Sequence, residues 1–166
     1  MTPSEQVTAV VITVSTRAAR GDRADTSGDL AARQLRTLGF VTPDPIVVPD
    51  DVPEIQAAVR AALTAGAALV VTTGGTGVTP TDVTPEATRP LLEREIPGIA
   101  EAIRLAARDR VPTSVLSRGL AGSIDTALVV NLPGSPGGVR DGMHVLAPIV
   151  GHVLDQLRGG DHEAAQ

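Results

Sequence analysis

The sequence predicts an α/β fold, a three-layer sandwich with helices flanking a mostly parallel central sheet. Two patterns carry this expectation. Short β-branched apolar runs alternate with longer segments whose apolar residues recur at helical spacing. All but one of the helical segments open on Asp, Ser or Thr, and the earlier ones are followed by Gly. A third observation concerns the loops. Ser15–Asp25, Pro49–Asp51, Thr73–Asp82 and Asn131–Pro136 each leave an apolar run in the same sense. Parallel strands would gather all of them on one rim, where open α/β sheets bind ligands.

The elements follow in order. Val7–Val14 reads as the first strand and the polar, basic Ser15–Asp25 as a loop. Asp25, Thr26 and Ser27 offer caps to a helix faced by Leu30, Leu35 and Leu38 and stopped at Gly39. Pro45–Val48 is a short strand. Val52–Ala65 is a helix with Ile55, Val59 and Leu63 on one face, and Ala68–Thr72 is the next strand. Thr84 reads as an N-cap with Pro85 at the first helical position, opening a helix to about Arg94. Pro97 opens another, to about Arg108. Thr113–Leu116 and Thr126–Val130 read as strands. A last helix spans Pro136 to Leu157. There are no repeats and no interior linker, so residues 1–158 are read as a single domain and 159–166 as a mobile tail.

Composition narrows the function classes. A chain of 166 residues is long enough for one sizeable core. Phe40 is the only aromatic residue, so bases cannot be bound mainly by stacking on protein rings. The net charge of −5 argues against broad nucleic-acid or membrane binding. The absence of cysteine removes disulfides, thiolate catalysis and zinc–thiolate sites. No apolar run reaches a membrane span and no secretory pattern opens the chain, so the expected location is the cytoplasm.

The chemistry concentrates in the rim loops. Thr73-Gly74-Gly75-Thr76-Gly77 follows a strand, and glycines let successive backbone N–H groups approach an anion. It is not a P-loop, because that pattern needs a lysine and this chain has none. The same glycines would also serve a plain tight turn. Asp82 lies just beyond, and Asp50 and Asp51 sit on another rim loop. Helix capping is the commoner use of such acids. A pair of carboxylates on one rim nevertheless suits Mg²⁺, which takes one or two of them plus phosphate oxygens and water. Asn131-Leu132-Pro133-Gly134-Ser135-Pro136 ends a strand and opens a helix. Ser135 and Pro136 explain that helix start structurally, yet free N–H groups there also bind anions, and Asn131 has groups to read a heterocycle edge. Arg118, Arg17, Arg20 and Arg23 are read as solvated, and the histidines as structural or surface residues.

Together these motifs resemble the molybdopterin adenylyltransferase family of MogA/MoaB type. The resemblance runs through Val14-Ser15, Asp25-Thr26-Ser27-Gly28, Val48-Pro49-Asp50-Asp51, Thr72-Thr73-Gly74-Gly75-Thr76-Gly77, Asp82-Val83-Thr84-Pro85-Glu86-Ala87, Pro97-Gly98, Leu116-Ser117-Arg118 and Asn131-Leu132-Pro133-Gly134. It covers roughly residues 7–157 in order and spacing. It departs at Thr81, where family members often carry a basic residue. The resemblance implies adenylation of molybdopterin by Mg-ATP with release of pyrophosphate. It puts Mg²⁺ binding and catalysis on Asp50 and Asp82, and a ligand cradle on the glycine loop. Ser117 and Asn131, with Pro133, Gly134 and Ser135, are the further ligand contacts that it implies. It also implies a homotrimer and a downstream molybdenum-insertion protein. A non-catalytic pterin-binding or scaffold module of the same fold is the alternative reading.

Overall fold

Residues 6–160 are described by the computed structural model. The sheet is built from β1 (Ala9–Val14), β2 (Ile46–Val48), β3 (Leu69–Thr73), β4 (Arg94–Glu95), β5 (Ala121–Ile124) and β6 (Ala127–Leu132). Its six strands lie in the order β2-β1-β3-β6-β5-β4. β2, β1, β3 and β6 are parallel neighbours, and β5 runs antiparallel to both β6 and β4.

Alternation along β1 shows why the sheet needs two helical layers. Ala9 and Val11 join one buried cluster, while Val10, Ile12 and Val14 join another on the opposite face. A strand apolar on both faces belongs inside a parallel sheet covered on both sides. On the first face lie α2 (Thr26–Thr37), α5 (Pro97–Ala106), α6 (Pro136–Leu146) and α7 (Val150–Leu157), packing through residues such as Leu35, Ile103, Met143 and Leu154. On the second lie α3 (Val52–Thr64), through Ile55 and Val59, and the short α4 (Thr84–Thr88), through Ala87. A four-residue α1 (Thr16–Ala19) sits inside the loop after β1.

The chain passes from β1 out to β2 and then back across to β3 on the other side of β1. This reversal opens a crevice between the carboxyl ends of β1 and β3, the usual ligand position in such sheets. At the opposite end of the sheet, a tight turn at Asp125 and Thr126 joins β5 to β6. Asp125 has φ +50°, the only positive value for a non-glycine residue among those described. Aspartate tolerates this region better than most residues.

Several local expectations are corrected. Thr113–Leu116 is no strand; Pro112–Leu116 forms a 3₁₀ turn, whose Ser114 Oγ donates to the Arg104 carbonyl at 2.9 Å. The helix expected to reach Arg94 ends at Thr88. A 3₁₀ turn over Arg89–Leu91 follows, and then β4. Pro90 explains the stop, since it removes an N–H and disfavours helix in the residue before it. The single helix expected over Pro136–Leu157 is two, broken at Ala147-Pro148-Ile149, again where proline cannot continue the ladder. The last strand extends past Val130 to Leu132, which places Asn131 inside the sheet. β5 went unread because AGSI has neither β-branched density nor clean alternation. Of the expected tail, residues 161–166 lie outside those described.

Candidate functional site

Backbone geometry builds the site first. After β3, Gly74 has φ +89°, and a Cβ there would stand 2.4 Å from the Val14 carbonyl oxygen. Gly75 has φ +65°, and its Cβ would stand 2.3 Å from Thr84 Oγ1. Only glycine fits either position. The loop is drawn tight by Thr84, whose Oγ1 donates to the Gly74 carbonyl at 2.8 Å and whose N–H donates to the Gly75 carbonyl at 3.0 Å. Thr84 is therefore not the cap expected of it. The cap position is Val83, which offers no side-chain hydrogen bond. The N–H groups of Gly75, Thr76 and Gly77 meet no acceptor among the described residues, leaving three consecutive donors. Such a run forms an anion cradle.

The second glycine loop closes on the first. A Cβ on Gly134 would lie 3.1 Å from Gly74 Cα. Ser27 Oγ donates to the Gly134 carbonyl at 2.7 Å, and Ser135 caps α6 by accepting from the Gly138 N–H at 3.0 Å. The rim expected from the parallel strands thus forms, and the loops after β1, β2, β3 and β6 meet on it.

The acids divide their labour. Asp51, not Asp50, caps α3, accepting from the Glu54 N–H at 3.1 Å. Asp50 Oδ2 accepts from Thr16 N–H and Thr16 Oγ1, each at 2.8 Å, while Oδ1 makes no hydrogen bond and lies 3.4 Å from the Cβ position of Gly75. Asp82 Oδ2 accepts from Thr79 N–H at 3.0 Å and Thr79 Oγ1 at 2.8 Å, again leaving Oδ1 unengaged. Each aspartate is thus oriented by one oxygen and holds the other in reserve. Asp25 does cap α2, taking the Gly28 N–H at 2.8 Å and Thr13 Oγ1 at 2.6 Å.

Two neighbouring cavities result. The first, of about 380 Å³, contains Thr73, Gly74, Asp25, Asp50, Asp82 and Arg23. The second, of about 470 Å³, contains Thr76, Gly77, Ser117, Val111, Leu116 and Pro133. Gly75, Asp82, Gly134 and Ser135 line both and form their shared wall. Of the site residues that the resemblance implied, only Asn131 lines neither cavity. It is 2% exposed, its Oδ1 accepting from Leu120 N–H and Thr88 Oγ1 and its Nδ2 donating to Thr72 Oγ1 at 2.9 Å. It clamps β6 to the elements around it and lines neither cavity.

Arg118 is the residue that sequence reasoning undervalued. Its backbone N–H donates to the Thr76 carbonyl at 2.7 Å, Nε to the Gly77 carbonyl at 2.8 Å and Nη2 to the Asp82 carbonyl at 2.8 Å. It also pairs with Glu86, and that hydrogen bond holds the Glu86 carboxyl below its ordinary value. One side chain therefore braces the loop that carries Asp82. The signal available was its place directly after Ser117, whose Oγ donates to Thr76 Oγ1 at 3.3 Å.

No helix among the described residues is long and apolar enough to cross a membrane. Nor do the described residues contain a cluster of three or more His, Asp or Glu side chains arranged around one metal position.

Comparison with known proteins now adds to this geometry. Residues 10–152 match the family model described as a probable molybdopterin binding domain. A molybdenum cofactor biosynthesis bifunctional protein of Synechococcus elongatus is 40% identical over 156 residues, which are 94% of this chain and 49% of that protein. The chain thus spans about half the length of that relative. A molybdopterin adenylyltransferase of Pyrococcus furiosus is 39% identical over 153 residues, with 89% of each chain covered. The solved structure of the molybdopterin biosynthesis Mog protein from Mycobacterium ulcerans matches with a TM-score of 0.87 at 50% identity, covering 91% of this chain and 99% of that one.

Proposed function

Because this chain belongs to the probable molybdopterin binding domain family of molybdenum cofactor biosynthesis, we propose that its own step is adenylation of molybdopterin by Mg-ATP. One observation carries the reading: two cavities meet across Gly75, Asp82, Gly134 and Ser135. A transfer between two bound anions needs that arrangement, with the reacting groups brought together at a common wall.

The residues present suit Mg²⁺. Asp50 and Asp82 each keep one carboxylate oxygen free of protein donors, and Mg²⁺ is commonly held by one or two carboxylates with phosphate oxygens and water. When bound, the ion would neutralise charge on the phosphates and on the departing pyrophosphate. In the proposed step, an oxygen of the molybdopterin phosphate bonds to the α-phosphorus of ATP. The bond from that phosphorus to the β-phosphate oxygen breaks, and pyrophosphate leaves with the electron pair. No side-chain nucleophile takes part. The chain's contribution is orientation and charge: the Gly75–Gly77 donors face phosphate oxygens, and Ser15 and Thr16 keep the β1 loop beside Asp50.

Incubating the protein with molybdopterin and Mg-ATP is expected to yield adenylyl-molybdopterin and pyrophosphate in equal amounts. Tight molybdopterin binding with no adenylated product would instead identify a non-catalytic binding module. The product would pass to a molybdenum-insertion protein. We also propose a symmetric homotrimer, in keeping with the family resemblance and with the exposed apolar residues Val111 and Leu116 of the second cavity and their exposed neighbours Leu105 and Val115 in the chain. Sedimentation equilibrium is expected to return three times the chain mass, and a monomer at micromolar concentration would refute the trimer.

A further inference from the structure

The first cavity has an unusual charge balance for a polyphosphate site. Asp25, Asp50 and Asp82 line it, and Arg23 is the only cationic side chain among its lining residues. Each acid is oriented by neutral donors and by no cation: Asp25 by Thr13 and Gly28, Asp50 by Thr16 through Oδ2 alone, Asp82 by Thr79 through Oδ2 alone. Arg23 makes no hydrogen bond or ion pair among the described residues, and the ion pairs of the structure all lie elsewhere. Arg23 is thus an exposed residue of the cavity lining whose guanidinium, with five donors and a permanent charge, has no partner among the described residues.

Its loop is nevertheless fixed at both ends. On the side of α1, Thr16 is tied to Asp50 through both its N–H and its hydroxyl. On the side of α2, Asp25 is tied to Thr13 and Gly28. The acids that line the cavity therefore also set the span from which Arg23 projects. The apolar part of this cavity is small, limited to Val14, Ala18 and Ala24, whereas the second cavity offers Val111, Leu116 and Pro133. The first cavity suits phosphates, and the second suits a ring.

We propose that Arg23 recognises the terminal phosphates of the nucleoside triphosphate, the portion that departs as pyrophosphate. This deepens the adenylation reading and rests on it for the identity of the ligand. Arg23 forms a forked contact with phosphate oxygens, while Asp50 and Asp82 hold the accompanying divalent ion. It contacts the part of the ligand that AMP lacks, so it discriminates triphosphate from monophosphate.

The test is calorimetric titration with pyrophosphate in the presence of Mg²⁺, comparing wild type with Arg23→Ala, Arg23→Lys and Arg17→Ala. Arg17 is an exposed arginine of the same loop that does not line the cavity, so it reports general electrostatics. Arg23→Ala is expected to weaken Mg-pyrophosphate binding about tenfold and Arg23→Lys about threefold, with Arg17→Ala unchanged and AMP binding the same in all. In the adenylation assay, Arg23→Ala should raise KM for ATP by a similar factor with kcat within about twofold of wild type. Equal Mg-pyrophosphate affinity in wild type and Arg23→Ala overturns the assignment. Equal weakening by Arg17→Ala, or no binding by wild type, does so too. If Arg23→Ala selectively loses pyrophosphate while wild type forms no adenylyl-molybdopterin, the adenylation reading fails and the role of Arg23 stands.

Discussion

Asp82→Asn and Asp50→Asn are each expected to lower the adenylation rate on the order of 100-fold while leaving the fold and most molybdopterin binding in place. The structure makes this substitution unusually clean. In both aspartates one oxygen does the structural work, accepting from Thr16 or from Thr79. The asparagine oxygen can take over those bonds. What changes is the other position, where a free anionic oxygen becomes a neutral amide that cannot ligate or offset Mg²⁺. The measurement is product formation at saturating Mg-ATP, with molybdopterin binding and thermal unfolding read in parallel. Near wild-type rates would show that the carboxylates hold no metal, and collapse of the fold would show that their structural bonds matter more. Asp51→Asn is the control. Its carboxylate caps α3 at the Glu54 N–H, and asparagine caps about as well as aspartate.

Arg118→Ala is expected to lower kcat/KM about 100-fold, by displacing Asp82 rather than by removing a ligand contact. Three backbone carbonyl contacts hold the Thr76–Asp82 segment through this one residue; Arg118→Ala removes the two that Nε and Nη2 make to Gly77 and Asp82. The substitution should also destabilise the protein by about 2 kcal/mol, given the typical worth of hydrogen bonds from a charged donor. Arg118→Lys should not restore activity, because an ammonium cannot span carbonyls set apart by a fork. The Glu86 partner adds a pH signature. Its folded pKa is lowered by the Arg118 hydrogen bond, so the pair stabilises the loop above the unfolded-state value and loses that contribution as pH falls through the lowered one. The effect is modest, because both side chains are substantially exposed. Glu86→Gln should therefore flatten the acid limb of the stability profile while sparing much of the activity.

The fold and the rim were legible because the residues that determine them are local. β1, β3 and β6 announce themselves by runs of three or four consecutive apolar residues, and a parallel sheet then fixes which loops converge. Spacing alone favoured Asp82 but left Asp50 and Asp51 equivalent, and the family motif chose Asp50 between them. In the structure Asp51 caps α3 while Asp50 turns to Thr16, a contact that spans 34 positions in the chain. The buried bonds of Asn131 were hidden for the same reason: its partners Thr72, Thr88 and Leu120 come from three separate segments. Arg118 looked solvated because its acceptors are backbone carbonyls, which leave no mark in the residue string. The prolines at 90 and 148 were visible signals, but helical periodicity on either side of Pro148 masked the break.

The tight turn at Asp125 and Thr126 lies at the end of the sheet opposite the rim, and both residues are exposed. Since the chain contains no cysteine, Thr126→Cys would introduce its sole thiol. A fluorophore or surface tether attached there would be uniquely addressed by maleimide chemistry and would leave the loop-bearing rim pointing into bulk solvent. Oriented immobilisation and single-molecule tracking of this protein therefore require one substitution, with no native thiol to remove beforehand.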